Sequence, residues 1–247
     1  MMHSSRKPLI VALLLTSGTF VFAQAAKTNA NAKEKRIAKL MEDWPNLHRY
    51  QEDDRKLAAP APGENRVVFM GDSITDLWGR RQGTEFFPGR PYINRGISGQ
   101  TTPQMLVRFR QDVVALQPKV VVILAGTNDI AGNTGPMTLE DTENNLMSMA
   151  DIAQQNGIRV VLASVTPAIA FPWRPELHPA EKIQALNDWI KEYTAKKGYV
   201  YLDYYSAMAG EDHGMKPGLA VDGVHPTKAG YEVMAPLAEK AIAQALE

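Results

Sequence analysis

The sequence predicts an α/β domain in which a parallel five-stranded sheet is covered by helices on both faces. Short apolar segments alternate along the chain with longer amphipathic segments, and the strongest apolar segment, Val120–Leu124, contains no polar residue. A strand that is apolar throughout is typical of a parallel sheet with both faces covered. The alternation itself indicates a parallel sheet between two layers of helices. The chain has 247 residues, 45% of them hydrophobic, which is enough for one such domain.

Five short segments are predicted as strands because they are apolar and rich in β-branched or aromatic residues: Val67–Met70, Tyr92–Asn94, Val120–Leu124, Arg159–Ala163 and Tyr199–Leu202. Four longer amphipathic segments are predicted as helices: 103–116, 138–156, 179–197 and 228–246. The first three helices begin near a threonine or a proline and end near Pro118, Gly157 and Gly198. Such residues are common start and stop signals, and no internal repeat suggests a second domain.

The N-terminus has the pattern of a secretory signal peptide. Arg6 and Lys7 precede a short apolar run over residues 9–15, and small residues follow, with Val21-Phe22-Ala23 fitting the small-x-small cleavage rule. The run is short and interrupted by threonine and serine, which disfavours a membrane-spanning anchor. We therefore expect cleavage near Ala23 and a secreted or periplasmic protein. Because the chain has no cysteine, we expect no lipid anchor and no stable membrane attachment after cleavage.

A leader is expected between the signal peptide and the main domain. Residues 24–36 are rich in alanine, asparagine and lysine, a composition typical of a mobile segment. Trp44, Leu47 and Tyr50 recur at near-helical spacing and predict a short helix packed on the main domain. The prolines at 60 and 62 predict a linker over 58–63. The expected organisation is a signal peptide over 1–23, a leader over 24–63 and one domain over 64–247.

Composition and missing motifs exclude several classes of function. Lysine plus arginine equal aspartate plus glutamate at 27 each, so no basic surface for nucleic acid is expected. The absence of cysteine excludes disulfides, thiolate metal sites and cysteine nucleophiles. No glycine-rich nucleotide motif and no His-Glu-x-x-His occur, and Asp212, His213, Asp222 and His225 match no standard zinc spacing. We expect neither a cofactor nor a metal.

Polar clusters follow four of the predicted strands, at 71–76, 94–102, 125–129 and, beyond a loop, 221–226. In an open parallel sheet, functional residues collect past the carboxyl ends of the strands. We therefore expect all four clusters at one edge of the sheet.

These clusters contain the parts of a serine hydrolase. Ser73 follows the first strand where a helix should begin, and Gly71 permits a close backbone approach there. His225 is the only histidine that has a carboxylate residue, Asp222, three positions before it and a proline directly after it. A hydroxyl nucleophile, a histidine base and an orienting acid form a catalytic triad. The backbone N–H of Gly99, the side-chain N–H of Asn128 and the N–H of Ser73 would supply three oxyanion donors.

In this order, the four clusters resemble the sequence blocks of the SGNH, or GDSL, hydrolases: Gly71-Asp72-Ser73, Gly99, Gly126-Thr127-Asn128-Asp129 and Asp222-Gly223-Val224-His225. The resemblance runs from about Val67 to the C-terminus, and the absence of Gly-x-Ser-x-Gly argues against the α/β-hydrolase elbow.

The resemblance implies a flavodoxin-like three-layer α/β/α sandwich, so that the domain over 64–247 would be an SGNH hydrolase domain. It also implies that Ser73 is the nucleophile, His225 the base and Asp222 its orienting acid, with Ser73, Gly99 and Asn128 in the oxyanion hole. The spacing within 67–73 and 119–129 is most similar to the platelet-activating-factor acetylhydrolase-like and lysophospholipase-like branch.

Several of these residues also have a purely structural interpretation. Ser73 could cap the helix that follows it, Gly99 could be only a turn glycine, and Asn128 could be a turn or cap residue. Trp173, in the loop after the fourth strand, could line a substrate pocket or only hold its loop in place.

The resemblance implies a serine esterase, EC 3.1.1 type, that acts on a small-molecule or glycan ester. Secretion and compact loops favour a short-chain acyl or acetyl ester, for example on a carbohydrate. The alternatives are a lysophospholipase or thioesterase and, from another class, a non-catalytic carbohydrate-binding protein with the same fold. The sequence carries no signal of oligomeric state.

Overall fold

The computed structural model describes residues 41–81 and 83–247, together with residues 31, 34, 35 and 38. The predicted signal peptide and its cleavage site lie outside the described residues. The chain divides into two compact units, Met1–Asn46 and Leu47–Glu247. In the first unit, residues 41 and 42 are helical and the Asn46 N–H donates to the Asp43 carbonyl oxygen in a turn, at 3.0 Å. The second unit contains every element named below.

The sheet has five strands that all pair in parallel, in the order β2-β1-β3-β4-β5. The strands are β1 Val67–Gly71, β2 Tyr92–Gly96, β3 Val120–Leu124, β4 Arg159–Ala163 and β5 Val200–Leu202. This is the strand order of flavodoxin-like doubly wound sheets. The chain leaves β1 towards β2 and then returns to β3 on the other side of β1, so that the order switches between β1 and β3. Ligands of such folds bind past the strand ends at this switch point, and Gly71 lies there opposite Leu124.

Helices connect the strands and cover both faces. They are α1 Gln51–Lys56, α2 Ser73–Asp76, α3 Thr102–Asp112, α4 Thr127–Ile130, α5 Leu139–Gln155, α6 Ala180–Lys197, α7 Tyr204–Met208 and α8 Lys228–Leu246. Three of the four predicted long helices agree with the structure to within one residue at each end. The first is shorter than predicted, because the chain continues from Asp112 into a 3-10 turn, Val114–Leu116, and then a left-handed Gln117 with φ of 54°. Proline at 118 disfavours the helical conformation of the residue before it.

The core is divided by the sheet into two apolar layers. On β3, Val121 and Ile123 pack with residues of α3, α5 and α6, whereas Val120, Val122 and Leu124 pack on the opposite face with residues of α8. All five side chains of β3 are buried. The predicted α/β fold, a parallel sheet between two helical layers, is confirmed.

Residues 47–56, which the sequence places in the leader, pack on the end of β2. Tyr50 is buried, and its hydroxyl donates to the carbonyl oxygen of Gly96, the last residue of β2. The Arg95 Nε donates to an Asp54 carboxylate oxygen at 3.0 Å, and the Arg95 guanidinium lies 4.6 Å from the Tyr50 ring centre. A leader ending at residue 63 stays a prediction. Among the described residues, no helix is long and apolar enough to cross a bilayer.

Candidate active site

The turn from β1 into α2 presents Ser73. Asp72 is the N-cap of α2, and its carboxylate accepts a hydrogen bond from the Ile74 N–H at 3.0 Å. Ser73 is therefore the first residue of the helix and not its cap, which leaves its hydroxyl available for another partner. A Cβ at Gly71 would lie 2.2 Å from the Thr75 hydroxyl oxygen and 2.9 Å from the Leu124 carbonyl oxygen, so that only glycine fits there.

Ser73, His225 and Asp222 form a continuous hydrogen-bonded chain. The Ser73 Oγ lies 2.9 Å from the His225 Nε2, and the His225 Nδ1 lies 2.7 Å from an Asp222 carboxylate oxygen. The other carboxylate oxygen of Asp222 accepts from the backbone N–H of His225 at 2.8 Å and from that of Val224 at 3.1 Å. The same carboxylate thus fixes both the ring and the backbone of the histidine.

The environment of Asp222 favours its ionised form. Partial burial disfavours the charge, but the hydrogen bonds from the backbone and ring of His225 and from the Val224 N–H outweigh it. They hold the pKa of the Asp222 carboxyl below its ordinary value. The carboxylate is therefore ionised at neutral pH and can accept from a protonated imidazole.

Asn128 lies next to this turn, in the first turn of α4. Its Nδ2 donates to the Gln100 carbonyl oxygen at 3.0 Å and to the Asp72 carboxylate at 3.2 Å. The structure thus brings Asn128 together with the residue before Ser73 and the residue after Gly99. Both hydrogens of the amide have acceptors, so an oxyanion would have to compete with the longer contact, that to Asp72.

Gly99 lies in the exposed loop between β2 and α3 with φ of +81°. A Cβ at this position would meet nothing within 4 Å, so glycine is favoured by the left-handed backbone and not by space. The Asn133 Nδ2 approaches the Gly99 carbonyl oxygen at 3.4 Å. Being a turn glycine is compatible with offering a backbone N–H to substrate.

Trp173 stands beside the histidine. Its ring centre is 5.9 Å from that of His225, and it stacks on the buried ring of Phe171 at 5.2 Å. The side chain is 38% exposed. The structure therefore allows both interpretations of Trp173 at once, because one part of the ring holds the loop while another part faces solvent next to His225.

The neighbouring polar residues have structural partners. The carboxylate of Asp129 is buried and accepts from the backbone N–H of Thr102, at the start of α3, at 3.0 Å. Asn94 donates from Nδ2 to the Thr75 and Trp78 carbonyl oxygens and so fixes the end of α2. Both residues hold loops of the site in place.

Sequence reasoning missed a buried arginine beneath the site. Arg108 on α3 is fully buried; its guanidinium donates to the Gln100 side-chain oxygen at 2.6 Å, to Asp112 at 2.9 Å and to the Gly71 carbonyl oxygen at 3.2 Å. It thus connects the loop that carries Gly99 to the end of β1, directly before the turn that carries Ser73. A single arginine within an amphipathic helix gives no sequence signal of burial, since this residue type is usually exposed.

Asn133 was also missed. Its Nδ2 donates to the Asn128 Oδ1 at 2.7 Å, and its Oδ1 accepts from the Trp173 Nε1–H at 3.0 Å. The sequence gives only a polar turn here, Asn133-Thr134-Gly135.

Within the described part of the chain, no group of three or more histidine, aspartate or glutamate side chains could hold a metal ion.

The site and fold match a known family. The model of the GDSL-like lipase/acylhydrolase family matches residues 69–233. This chain belongs to the GDSL-like lipase/acylhydrolase family. The predicted family is confirmed and, at the level of the family, so is the predicted enzyme class of carboxylic ester hydrolase.

Solved structures of other members of the GDSL-like family resemble this chain over most of its length. A candidate acylhydrolase from Bacteroides fragilis is 45% identical, with 83% of this chain and 99% of that chain covered and a TM-score of 0.80. A GDSL-like lipase from Bacteroides thetaiotaomicron is 46% identical, with 82% and 100% covered and a TM-score of 0.79.

Curated relatives match over shorter segments. An acetylxylan esterase of Geobacillus stearothermophilus is 32% identical over 87 residues, which are 26% of this chain and 40% of that protein. A lipoprotein of Bacillus subtilis, YqeF, is 34% identical over 96 residues, which are 38% of this chain and 40% of that protein. The chain thus spans two fifths of the length of the curated relatives that it matches.

The buried carboxyl of Asp72 makes stability depend on pH. Burial raises its pKa from an ordinary value of 3.8 to about 6, so that the folded protein binds this proton more tightly than the unfolded chain does. The resulting stabilisation is complete below pH 3.8 and is lost as the pH rises through about 6. At about 1.4 kcal/mol per pH unit, the loss is on the order of 3 kcal/mol.

We therefore expect the free energy of unfolding of the wild type, relative to Asp72→Asn, to fall by about 3 kcal/mol between about pH 4 and pH 8. Urea denaturation of both proteins at each pH measures this difference, and the titrating groups that do not interact with Asp72 cancel. A difference that does not change with pH would show that Asp72 titrates normally in the folded protein.

Proposed function

We propose that this protein is a serine esterase that hydrolyses a carboxylic ester through an acyl-enzyme at Ser73. The observation that carries the proposal is the chain of hydrogen bonds from Ser73 through His225 to Asp222, with separations of 2.9 Å and 2.7 Å. A nucleophile within hydrogen-bond reach of its base, and a base oriented by a third group, is the arrangement that acyl transfer requires.

The proposed reaction has two halves. The Ser73 oxygen attacks the ester carbonyl carbon while its proton passes to the His225 Nε2. The tetrahedral oxyanion collapses, the bond from carbon to the alcohol oxygen breaks, and the alcohol leaves with the proton from His225. Water then attacks the acyl-enzyme and gives its proton to His225, and the acid is released as the proton returns to Ser73.

Asp222 acts on the imidazole throughout. Its carboxylate accepts from the Nδ1–H, which leaves the Nε2 lone pair directed at Ser73. When His225 is protonated, the ionised carboxylate stabilises the positive charge. The hydrogen bonds that lower the pKa of Asp222 keep it in that ionised form.

The oxyanion is proposed to be stabilised by the N–H groups of Ser73, Gly99 and Asn128. Ser73 is the first residue of α2, and the first N–H groups of a helix have no partner within it. Gly99 lies in an exposed left-handed turn. The Asn128 amide meets the Asp72 carboxylate, next to the nucleophile in the chain, so a charged oxygen near that position can take its hydrogen.

Loss of the Asn128 donor should affect the chemical step more than binding. An oxyanion exists only in the transition state and the intermediate, so Asn128→Ala should lower kcat more than it raises KM. Removing one such donor typically costs on the order of a hundredfold to a thousandfold in kcat. Asn128→Asp should be worse, because it places a negative charge where the oxyanion forms.

Initial rates with p-nitrophenyl acetate measure both constants, and thermal midpoints check folding. Asn145→Ala is the matched control, because this amide donates to the Thr102 hydroxyl on the neighbouring helix. A folded Asn128→Ala enzyme with the wild-type kcat would reduce Asn128 to a turn residue and the oxyanion hole to two donors.

For substrate we propose a short acyl group, acetyl in the first instance, carried on a carbohydrate. The exposed ring of Trp173 beside His225 offers a flat apolar surface of the kind on which sugar rings stack. The likeness of one segment to an acetylxylan esterase also supports this proposal. Two assays would decide it: a panel of acetylated glycans, and a series of p-nitrophenyl esters of increasing acyl chain length. We expect release of acetate from the glycans and a sharp fall in hydrolysis rate beyond short acyl chains.

A lysophospholipid is the second candidate, favoured by exposed apolar side chains in the loops that carry His225 and Trp173. Val221, which is 55% exposed, donates its N–H to the His225 carbonyl oxygen, and Ile169 lies exposed in the loop that carries Trp173. Rates that rise with acyl chain length and cleavage of a lysophospholipid, with no release of acetate from glycans, would favour this candidate. A turnover below that of free imidazole buffer on every ester would favour a non-catalytic carbohydrate-binding protein instead.

We also propose that the protein is exported and cleaved near Ala23, with the mature chain comprising a leader over 24–63 and the hydrolase domain over 64–247. The charged, apolar and small residues of the N-terminus support export. N-terminal sequencing of the protein recovered from a secreting host tests both the export and the cleavage site.

A further inference from the structure

The amide of Asn128 can serve an oxyanion only if its nitrogen, and not its oxygen, is directed at the substrate. A side-chain amide can rotate by half a turn and exchange the two, so its neighbours decide which end is presented. The Asn128 Oδ1 accepts from the Asn133 Nδ2 at 2.7 Å, the shortest of the three contacts that this amide makes. Its Nδ2 donates to the Gln100 carbonyl oxygen and the Asp72 carboxylate, and all three contacts favour the same orientation.

Asn133 could itself rotate and present its oxygen to Asn128, unless something holds it. The Trp173 indole nitrogen lies 3.0 Å from the Asn133 Oδ1. An indole N–H can only donate, so it requires an oxygen at this position and directs the NH₂ of Asn133 towards Asn128. Trp173 thereby fixes the orientation of the Asn133 amide, and Asn133 adds to the Gln100 carbonyl and the Asp72 carboxylate in holding that of Asn128.

The loops that carry these residues are tied to the domain independently. The Asn133 backbone N–H donates to the Asn128 carbonyl oxygen at 3.0 Å, and Thr134 and Thr101 hydroxyls lie 3.0 Å apart at the start of α3. Trp173 is stacked on the buried Phe171 ring. Trp173, the first donor of this series of hydrogen bonds, is therefore held in place by packing. Asn133, the amide in the middle of the series, is held by its backbone.

From this arrangement we infer that Asn133 and Trp173 are positioning residues, which hold the Asn128 amide with its N–H groups towards the oxyanion. The inference rests on the oxyanion role proposed for Asn128. Each donated hydrogen bond also polarises the next amide in the chain and makes its N–H a stronger donor. Because the Trp173 ring lies beside His225, one side chain contacts both the base and the chain of amides.

The first test removes each link. Asn133→Ala should lower kcat by roughly tenfold to a hundredfold, the range produced when a catalytic group is misplaced by about 1 Å, with little change in KM. Trp173→Phe keeps the ring and removes only the N–H, so a smaller fall in kcat is expected. Asn133→Asp should be worse than Asn133→Ala, because its carboxylate would face the Asn128 Oδ1 and favour rotation of that amide.

The decisive test repeats the substitutions in an Asn128→Ala background. Residues that act only through Asn128 have nothing left to position there, so kcat should then change by less than about twofold, which is the margin within which the effects of independent substitutions add. Independent action would instead give the same fall in both backgrounds. Trp189→Phe is the matched control: this indole stacks on Tyr193 of α6 and should leave kcat unchanged in both backgrounds.

The outcomes separate this inference from the oxyanion proposal. If Asn128→Ala lowers kcat but Asn133→Ala lowers it equally in both backgrounds, the oxyanion role stands and the positioning role is overturned. A wild-type kcat for Asn133→Ala overturns it as well. If Asn128→Ala itself keeps the wild-type kcat, the oxyanion role fails and the positioning role falls with it.

Discussion

Replacing Ser73 by alanine is expected to abolish ester hydrolysis and leave the fold intact. The substitution removes the oxygen that forms the acyl-enzyme, and loss of the nucleophile of a triad costs on the order of a millionfold in kcat. The cap of α2 is unaffected, because it is the Asp72 carboxylate that accepts from the Ile74 N–H. Turnover of p-nitrophenyl acetate measures the loss, and the thermal midpoint of the variant should equal that of the wild type.

A fluorophosphonate, which phosphonylates activated serines with loss of fluoride, gives a second, covalent measurement. Mass spectrometry of digested protein should place the label on Ser73 in the wild type and find none in Ser73→Ala. Ser98→Ala is the matched control, since Ser98 is exposed at the same edge of the sheet but hydrogen-bonds to Asp76 instead of to a histidine. Label on Ser98, or full turnover by Ser73→Ala, would contradict the assignment of the nucleophile.

The sheet was predictable because most of its strands contain a short apolar run bounded by polar or glycine residues. The strand Val120–Leu124 was predicted with the bounds that the structure shows. Every position of a fully buried parallel strand is apolar, so the apolar run and the strand coincide. From the strands, the common edge followed, and with it the grouping of Ser73, Asn128 and His225. The start of the short helix α2 was expected at Ser73, but its length was not predicted and α4 was missed, because four residues are too few to show a helical period.

The inner part of the site could not be predicted, because it depends on contacts between distant segments. Asn133 and Trp173 are 40 residues apart and share no motif, yet a line of hydrogen bonds runs from the Trp173 indole through Asn133 to the Asn128 amide. The sequence shows Asp72 only as a member of a motif. That its carboxyl is buried, caps α2 and has a pKa near 6 depends on the packing of β1, α2 and α4 around it.

The N-terminal boundary was uncertain for a similar reason. A run of charged residues, Glu52-Asp53-Asp54-Arg55-Lys56, looks like a solvated linker in sequence. In the structure Tyr50 is buried and Asp54 pairs with Arg95, so that residues 47–56 lie against β2. The near-helical spacing of Trp44, Leu47 and Tyr50 does predict a short helix packed on the domain, but nothing in the charged run indicates that Asp54 pairs with Arg95.

Removing the imidazole is expected to cost far more than neutralising its acid partner. His225→Ala eliminates the group that takes the proton of Ser73, and loss of the histidine of a triad costs about as much as loss of the serine, on the order of a millionfold in kcat. Asp222→Asn leaves the imidazole in place and should cost less, on the order of ten-thousandfold. Rates with p-nitrophenyl acetate at saturating substrate compare the two directly.

The loss for Asp222→Asn has a specific cause. The carboxylate now accepts from the His225 Nδ1–H at 2.7 Å and from the His225 backbone N–H at 2.8 Å. An amide at this position can keep the backbone contact with its oxygen, but it then presents its NH₂ to the ring and forces the Nδ1 to accept. The proton must then sit on the Nε2, where the base is needed, so the ring is held in the wrong tautomer.

Asp203→Asn is the matched control, because this carboxylate caps α7 after β5, accepts from the Ser206 N–H at 2.9 Å and touches no histidine. It should keep the wild-type kcat. An Asp222→Asn enzyme as inactive as His225→Ala would mean that the carboxylate contributes as much to the transition state as the base does, through the charge of the imidazolium. Wild-type activity in both variants would refute the triad, because no other histidine lies within hydrogen-bond distance of Ser73 in the part of the chain that the structure describes.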